Sequence, residues 1–160
     1  MRVRKTARAI LLDPDNRVLL FEFVVPKGYI AETAKRFWAT PGGEIEPGED
    51  VQVALARELA EETGIEGCQF GPELWFGSNE FTLHGQPIQT LERFFCVRSP
   101  TNEVQTSNWT AIEKKIMRDF RWWSVQELRS AQVTIFPPNL GPLLEKYLRD
   151  GSAGPLEIPL

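Results

Sequence analysis

The sequence predicts an α/β/α layered domain, and three observations carry that expectation. Apolar runs of strand length, rich in β-branched and aromatic residues, recur along the chain. One stretch, Val51 to Glu62, has helical periodicity bounded by start and stop signals. Strands and helices also alternate instead of segregating into blocks, which favours layers of helix on sheet. The 160 residues suit a single domain spanning 1–160 with one sizeable core, in which the Gly- and Pro-rich 151–160 form a loosely packed tail outside that core or against a partner.

Taken in order, Ala7 to Leu12 and Val18 to Val25 are apolar runs flanking Asp13-Pro14-Asp15-Asn16, whose turn-forming side chains predict a hairpin. Residues 26–36 are polar and read as a loop leading to a short strand at Phe37-Trp38-Ala39. Pro41-Gly42-Gly43 then breaks both helix and strand patterns. The helix over 51–62 has Asp50 as N-cap and Gly64 as the residue that ends it, with Val51, Leu55, Ala56 and Leu59 on the side expected to face the sheet. Downstream, Leu74 to Leu83 and Ile88 to Arg98 read as strands around the turn His84-Gly85-Gln86-Pro87. Trp109 to Ile116 reads as helical after Ser107 or Asn108, Arg121-Trp122-Trp123 as a strand, Val125 to Ser130 as a helix capped by Ser124, and Asn139 to Leu148 as a last helix.

Composition excludes several classes. Hydrophobic residues at 42% and charged residues at 25% are globular values, so the chain is neither a disordered tail nor a fibrous repeat. With 22 acidic against 18 basic residues and a net charge of -4, it has no basic tract to track a nucleic-acid backbone. No span reaches the roughly 18 apolar residues of a membrane helix, and the apolar stretch after the N-terminal basic residues stops at Asp13, short of a signal-peptide core. Cys68 and Cys96, without a CxxC pair, read as small buried residues in a reducing compartment. The expected location is cytoplasmic.

Chemistry concentrates in and before the 51–62 helix. At about 100° per residue, Glu62, Glu58 and Glu61 follow one another around one flank of the helix within an arc of about 100°. Like charges at these spacings repel by a few tenths of a kcal/mol per pair, and a hard divalent cation such as Mg2+, which takes oxygen ligands, would relieve that repulsion. The glycine turn ahead lets backbone approach closely, so a carbonyl there can join the carboxylates. Arg57 lies within reach of Glu61 along the helix and of Glu49 across the turn, as an orienting group.

Gly43, Glu49, Arg57, Glu58, Leu59, Glu61, Glu62, Gly64 and Ile65 together resemble the signature of the Nudix hydrolase superfamily, matching every defined position over 23 residues. Seven fixed residue types at fixed spacing arise by chance about once in 10⁸ starts. The resemblance implies a Nudix-type α/β/α sandwich, with a central mixed β-sheet and a catalytic loop-helix-loop. It also implies hydrolysis of the pyrophosphate bond of a nucleoside diphosphate linked to a group X, with Mg2+ or Mn2+ as cofactor. By matching positions it makes Glu58 and Glu62 metal ligands, Glu61 a ligand or water-activating carboxylate, Gly42 or Gly43 a carbonyl ligand, and Arg57 with Glu49 their support.

The partner so implied is a small-molecule nucleotide, with no membrane and no nucleic acid, and the resemblance is compatible with a homodimer. A nucleoside triphosphate or related nucleotide is the first expectation for substrate. ADP-ribose, a nucleotide sugar or a dinucleotide comes second, since the short signatures that the resemblance attaches to ADP-ribose, diadenosine polyphosphate, NADH and coenzyme A hydrolases are absent. A regulatory domain that binds nucleotide without hydrolysing it is the non-enzymatic alternative, and three mutually repelling carboxylates argue against it. An RNA 5′-end pyrophosphohydrolase would need a basic surface that the acidic balance does not provide.

Outside the signature, Arg8, Arg36, Trp38 and Glu113 are the candidate substrate contacts. Arg4, Lys5, Lys27 and Lys35 are further cations for phosphate, and Trp75, Phe76 and Trp109 further aromatic faces for a base. Each has an ordinary fate as well, solvation for the charges and burial in the sheet for the rings. Glu92, Glu103 and Glu113 are candidates for a general base outside the signature, with a solvated surface position as the usual alternative.

Overall fold

The computed structural model describes residues 1–28 and 33–160. Nine strands form one mixed sheet among the described residues: β1 (Arg2–Leu12), β2 (Val18–Val25), β3 (Lys35–Ala39), β4 (Gly42–Glu44), β5 (Gln69–Leu83), β6 (Gln86–Arg98), β7 (Met117–Trp123), β8 (Ile135–Phe136) and β9 (Leu156–Glu157). The principal order is β8-β3-β2-β1-β6-β5-β9, with β4 on β1 and β7 on β2. Four helices accompany them: α1 (Val51–Thr63), α2 (Ala111–Ile116), α3 (Val125–Ser130) and α4 (Leu140–Asp150).

Alternation along the central strands builds two cores. Ile10, Leu12, Val18, Leu20, Phe94, Cys96 and Trp123 face α3 and α4, which contribute Leu128, Leu140 and Leu144. Ala7, Ala9, Leu11, Leu19, Phe21, Phe95 and Val97 face the other way and receive Leu55 and Leu59 of α1. This is the α/β/α layering expected.

The predicted hairpin of the first two runs is present, but its ladder is short. Asp13 is fully buried, and its carboxylate accepts from the backbone N–H groups of Asp15 and Arg17, both at 2.9 Å. β1 and β2, however, pair only at Leu12↔Val18. β1 instead runs parallel to β6 from Arg2↔Ile88 to Leu12↔Arg98, and β2 pairs with β3 and β7. Runs buried on both faces lack the alternation that would specify a local partner, so long-range pairing decides.

Of Pro41-Gly42-Gly43, expected to be irregular, the two glycines enter the sheet with Glu44 as β4, antiparallel to Thr6–Arg8. Glycine permits it: a Cβ on Gly42 (φ +137°) would stand 2.2 Å from the Ala7 carbonyl oxygen. Asp50 caps α1 as predicted, accepting from Gln52 N–H at 2.9 Å, and Gly64 ends it in the left-handed region at φ 64°. The helix is rolled toward its acidic flank, so that Ala54, Leu55, Leu59, Glu62 and Thr63 are buried while Ala56 is exposed.

Further along, α2 begins after Thr110, not Ser107 or Asn108, because Thr110 and Glu113 satisfy each other's backbone N–H in a capping box. The tail also departs from expectation. β9 pairs in parallel with Trp75 and Phe76, Ile158 N–H donates to Phe76 C=O at 2.9 Å, and the Ile158 side chain is buried in the α3/α4 core. Cys96 lies in that same core, and Cys68 is half-buried.

Candidate active site

The acidic cluster takes its geometry from α1 and from β4, which lies against it. Exposure rises around the helix in the order the helical angle dictates: Glu62 is 5% exposed, the Glu58 side chain 14% and the Glu61 side chain 44%. Gly42 N–H donates to Glu62 Oε2 at 3.0 Å, tying the glycine turn to the most buried carboxylate. A Cβ on Gly43 would lie 2.5 Å from Glu58 Oε1, so the absent side chain is what admits Glu58 beside β4. Trp109 Nε1–H donates to the Glu62 carbonyl at 2.7 Å and its ring meets Phe21 edge-on, closing the end of α1.

Arg57 organises the outer side. Its Nε and Nη2 donate to the two Glu49 oxygens at 2.9 and 3.0 Å, a bidentate pair, while Nη2 also reaches the Glu44 carbonyl at 3.2 Å. Nη1 donates to Glu58 at 3.0 Å and stands 3.8 Å from Glu61. One guanidinium therefore spans the loop before α1 and two of the helix carboxylates. The Arg57 hydrogen bonds hold the Glu49 carboxyl down at about 2.

The two shifted carboxylates of α1 move upward. Burial is the main cause for both Glu58 and Glu62. For Glu62 the facing Glu58 charge adds to it, against opposing contributions from the Gly42 N–H and from Arg8. For Glu58, Arg57 opposes the rise, while Glu61 and Glu113 reinforce it.

A buried carboxylate with one backbone donor and a second carboxylate beside it is under-compensated, and a cation or a proton restores the balance. Among the described residues no three acidic, histidine or cysteine side chains already converge into a closed ligand cluster. Glu58 is drawn toward Arg57 and Glu62 toward Gly42. The donor set is all oxygen, as Mg2+ or Mn2+ prefers, and leaves room for water or substrate oxygens. It fits such an ion.

The residues expected outside the signature divide. Glu113 of α2 lies close enough for its charge to act on both Glu58 and Glu62, although its carboxylate also accepts from Thr110 N–H at 2.8 Å. Arg8 is paired with Gly42 in the β1–β4 ladder, and its charge reaches Glu62. Arg36 is exposed, 3.7 Å from Glu22.

Trp38 is not a free stacking face: it is buried in the α3/α4 core with its ring edge-on to Trp123 at 5.4 Å, because strand alternation turns it inward. Trp75 is likewise buried, whereas Phe76 is exposed. Glu92 is not on a solvated surface either. It is buried and accepts from Arg8 Nε at 2.8 Å, a pairing that spans 84 residues and leaves no local sequence signal. Glu103 is exposed. Pockets of about 430 Å³ beside the tail and about 510 Å³ beside the start of β1 touch none of the α1 carboxylates.

Residues 2–147 match the NUDIX domain family. Among curated proteins, the chain is 31% identical over 98 residues to Nudix hydrolase 19, chloroplastic, of Arabidopsis thaliana, a match covering 60% of this chain and 20% of that protein. It is 24% identical over 132 residues to the nucleoside triphosphatase NudI of Escherichia fergusonii, covering 82% of this chain and 90% of that one. The solved structure of a MutT protein from Methanosarcina mazei Go1 superposes with a TM-score of 0.63 at 20% identity, over 92% of this chain and 94% of that one. That likeness is one of fold. The chain spans only about a fifth of the length of the Arabidopsis relative.

Proposed function

The chain belongs to the Nudix family, and from that premise we propose that it hydrolyses the pyrophosphate linkage of a nucleoside diphosphate joined to a further group. Mg2+ or Mn2+ is the proposed cofactor. The observation that supports this best is the buried, under-compensated Glu62 carboxylate with the half-buried Glu58 beside it, packed against a glycine turn in a family whose signature they complete.

In this reading Glu58, Glu62 and Glu61, with a carbonyl oxygen of Gly42 or Gly43, hold the cation, which supplies charge neutralisation on the phosphate oxygens when bound. Arg57 keeps Glu58 and Glu61 in register, and Glu49 keeps Arg57 extended across the loop. Water adds to one phosphorus, the bridging P–O bond breaks, and the proton lost by the water passes to a carboxylate. Glu61 is the most solvent-accessible of the three and is the proposed acceptor, with Glu113 next to the same group of charges. Arg36 is the proposed phosphate contact. Trp38 is withdrawn from the candidate substrate contacts by its burial, and Arg8 by its pairing with the buried Glu92.

A nucleoside triphosphate or related nucleotide is the proposed substrate and the cytoplasm the proposed location. Among the described residues no helix is long and apolar enough to cross a membrane. The test is product analysis by mass spectrometry after incubation with Mg2+ and a panel of nucleoside triphosphates, oxidised analogues, ADP-ribose, NADH, dinucleoside polyphosphates and nucleotide sugars, with Glu62→Gln alongside. Metal-dependent cleavage of a triphosphate, absent in the variant, is expected. Cleavage of only ADP-ribose, a sugar nucleotide or a dinucleotide would move the substrate class. A nucleotide-induced thermal shift without any product would replace hydrolysis by binding.

A further inference from the structure

On the sheet face that carries α3 and α4, where apolar side chains dominate, one ion pair is buried at the end nearest the glycine turn. Arg8 and Glu92 have side chains only 16% and 6% exposed, with Nε–H donating to Oε2 at 2.8 Å. The Thr6 hydroxyl donates to the same carboxylate oxygen, and Phe136 lies 5.4 Å beneath the guanidinium. Exchanging a buried pair of this kind for apolar residues commonly leaves stability unchanged or higher, so a contribution to stability does not by itself account for it.

Its contacts lead toward the acidic cluster. The same guanidinium donates through Nη1 to the Thr40 carbonyl at 3.1 Å, at the start of the turn that continues through Pro41 to Gly42. Ala9 N–H donates to the Pro41 carbonyl at 2.9 Å, and Gly42 lies against the backbone of Ala7 and Arg8 with no room for a Cβ. Gly42 N–H then donates to Glu62 at 3.0 Å. An unbroken series of contacts runs from β6 through β1 and the turn to the most buried carboxylate of α1.

We propose that Glu92 is a positioning residue for the hydrolytic site: by holding the Arg8 guanidinium on the Thr40 carbonyl, it fixes the Thr40–Gly42 turn, and with it the N–H that orients Glu62. This rests on the reading of Glu62 as a cation-binding carboxylate. A fork-shaped guanidinium suits the task because it serves two acceptors in one plane, which an ammonium does less well. The carboxylate's part is to hold that fork in place.

The test compares wild type, Glu92→Gln, Glu92→Asp and Arg8→Lys by three readouts: amide hydrogen exchange of Gly42 in the metal-free protein, the Mg2+ concentration at half-maximal thermal shift without substrate, and kcat with KM on the substrate found above. Glu92→Gln and Arg8→Lys are expected to speed Gly42 exchange at least fivefold, raise the Mg2+ midpoint at least fivefold and lower kcat about tenfold with KM within twofold, and Glu92→Asp to recover part of each. A folded Glu92→Gln with unchanged Gly42 exchange and Mg2+ midpoint overturns the proposal, as does a rise in KM alone, which would make the pair a substrate contact. If Glu92→Gln does not fold, Arg8→Lys decides on the same criteria. A wild type with no Mg2+ shift refutes the cation reading instead, and Gly42 exchange then still decides whether Glu92 orders the turn.

Discussion

Replacing Glu62 by glutamine should stabilise the metal-free protein while abolishing its activity. The Glu62 carboxylate is 5% exposed, accepts from Gly42 N–H, and faces the Glu58 charge. Burial and that repulsion lift its pKa well above the ordinary 4.5. With the folded value raised, the stabilising contribution is complete below the unfolded value and disappears as pH rises through the folded one, so ionising Glu62 burdens the metal-free fold.

Glutamine has the same shape, keeps an acceptor for Gly42 N–H and offers Glu58 a donor in place of a charge. Relief of an uncompensated buried polar group is worth about 1–3 kcal/mol, and each kcal/mol raises Tm by about 2–4 °C in a chain of this size. Melts in EDTA from pH 5 to 8 should show wild type and variant converging at the acid end and separating toward pH 8, with the variant higher. Mg2+ at about one hundred times its dissociation constant should then raise wild-type stability by about 2.7 kcal/mol and the variant far less, while kcat of the variant falls about 10²-fold or more. A metal-free variant less stable than wild type at pH 7.5 would refute the reasoning, because it would show that the ionised carboxylate is already well compensated without a cation.

Three further outcomes follow from the same geometry. Gly42→Ala, whose Cβ would meet backbone at 2.2 Å, should lower Tm by several degrees, whereas Gly43→Ala, whose Cβ meets the movable Glu58 carboxylate, should keep its Tm within a few degrees and lose at least tenfold in Mg2+ midpoint and kcat. Because Arg57 depresses the Glu49 carboxyl to about 2, this pair contributes stability above the ordinary 4.5 that is lost as pH falls toward 2; acid titration of Arg57→Gln should lack that component. Ending the chain at Asp150 removes Ile158 from the core, with a loss of about 1.5–3 kcal/mol, and frees the β5 edge beside Trp75 and Phe76; calorimetry should show the lower Tm and sedimentation any self-association.

What was legible from sequence alone is what short-range geometry controls. The capped α1, the order of Glu62, Glu58 and Glu61 around it, and the reach of Arg57 to Glu49 and Glu61 follow from helical spacing and a short loop. So did the hairpin after Leu83, although its turn is only His84-Gly85: Gln86 and Pro87, read as part of the turn, pair with Leu83 and Thr82. Family membership follows from the same 23 residues, since the chemistry is packed into one loop and one helix.

Tertiary structure decided whatever depends on partners distant in sequence. Continuous apolar strands do not specify their neighbours, so the long parallel ladder of β1 with β6, beside only a short one with β2, emerged only in the folded sheet, as did the return of Ile158 to the core. Roll of α1 made Glu62 the buried carboxylate at the expense of Ala56. Parallel register of β1 and β6 brought Arg8 to Glu92, and inward alternation took Trp38 away from any ligand. Charge and periodicity are properties of a segment, but burial and ion pairing are properties of two surfaces brought together, and only the packed sheet determines which surfaces meet.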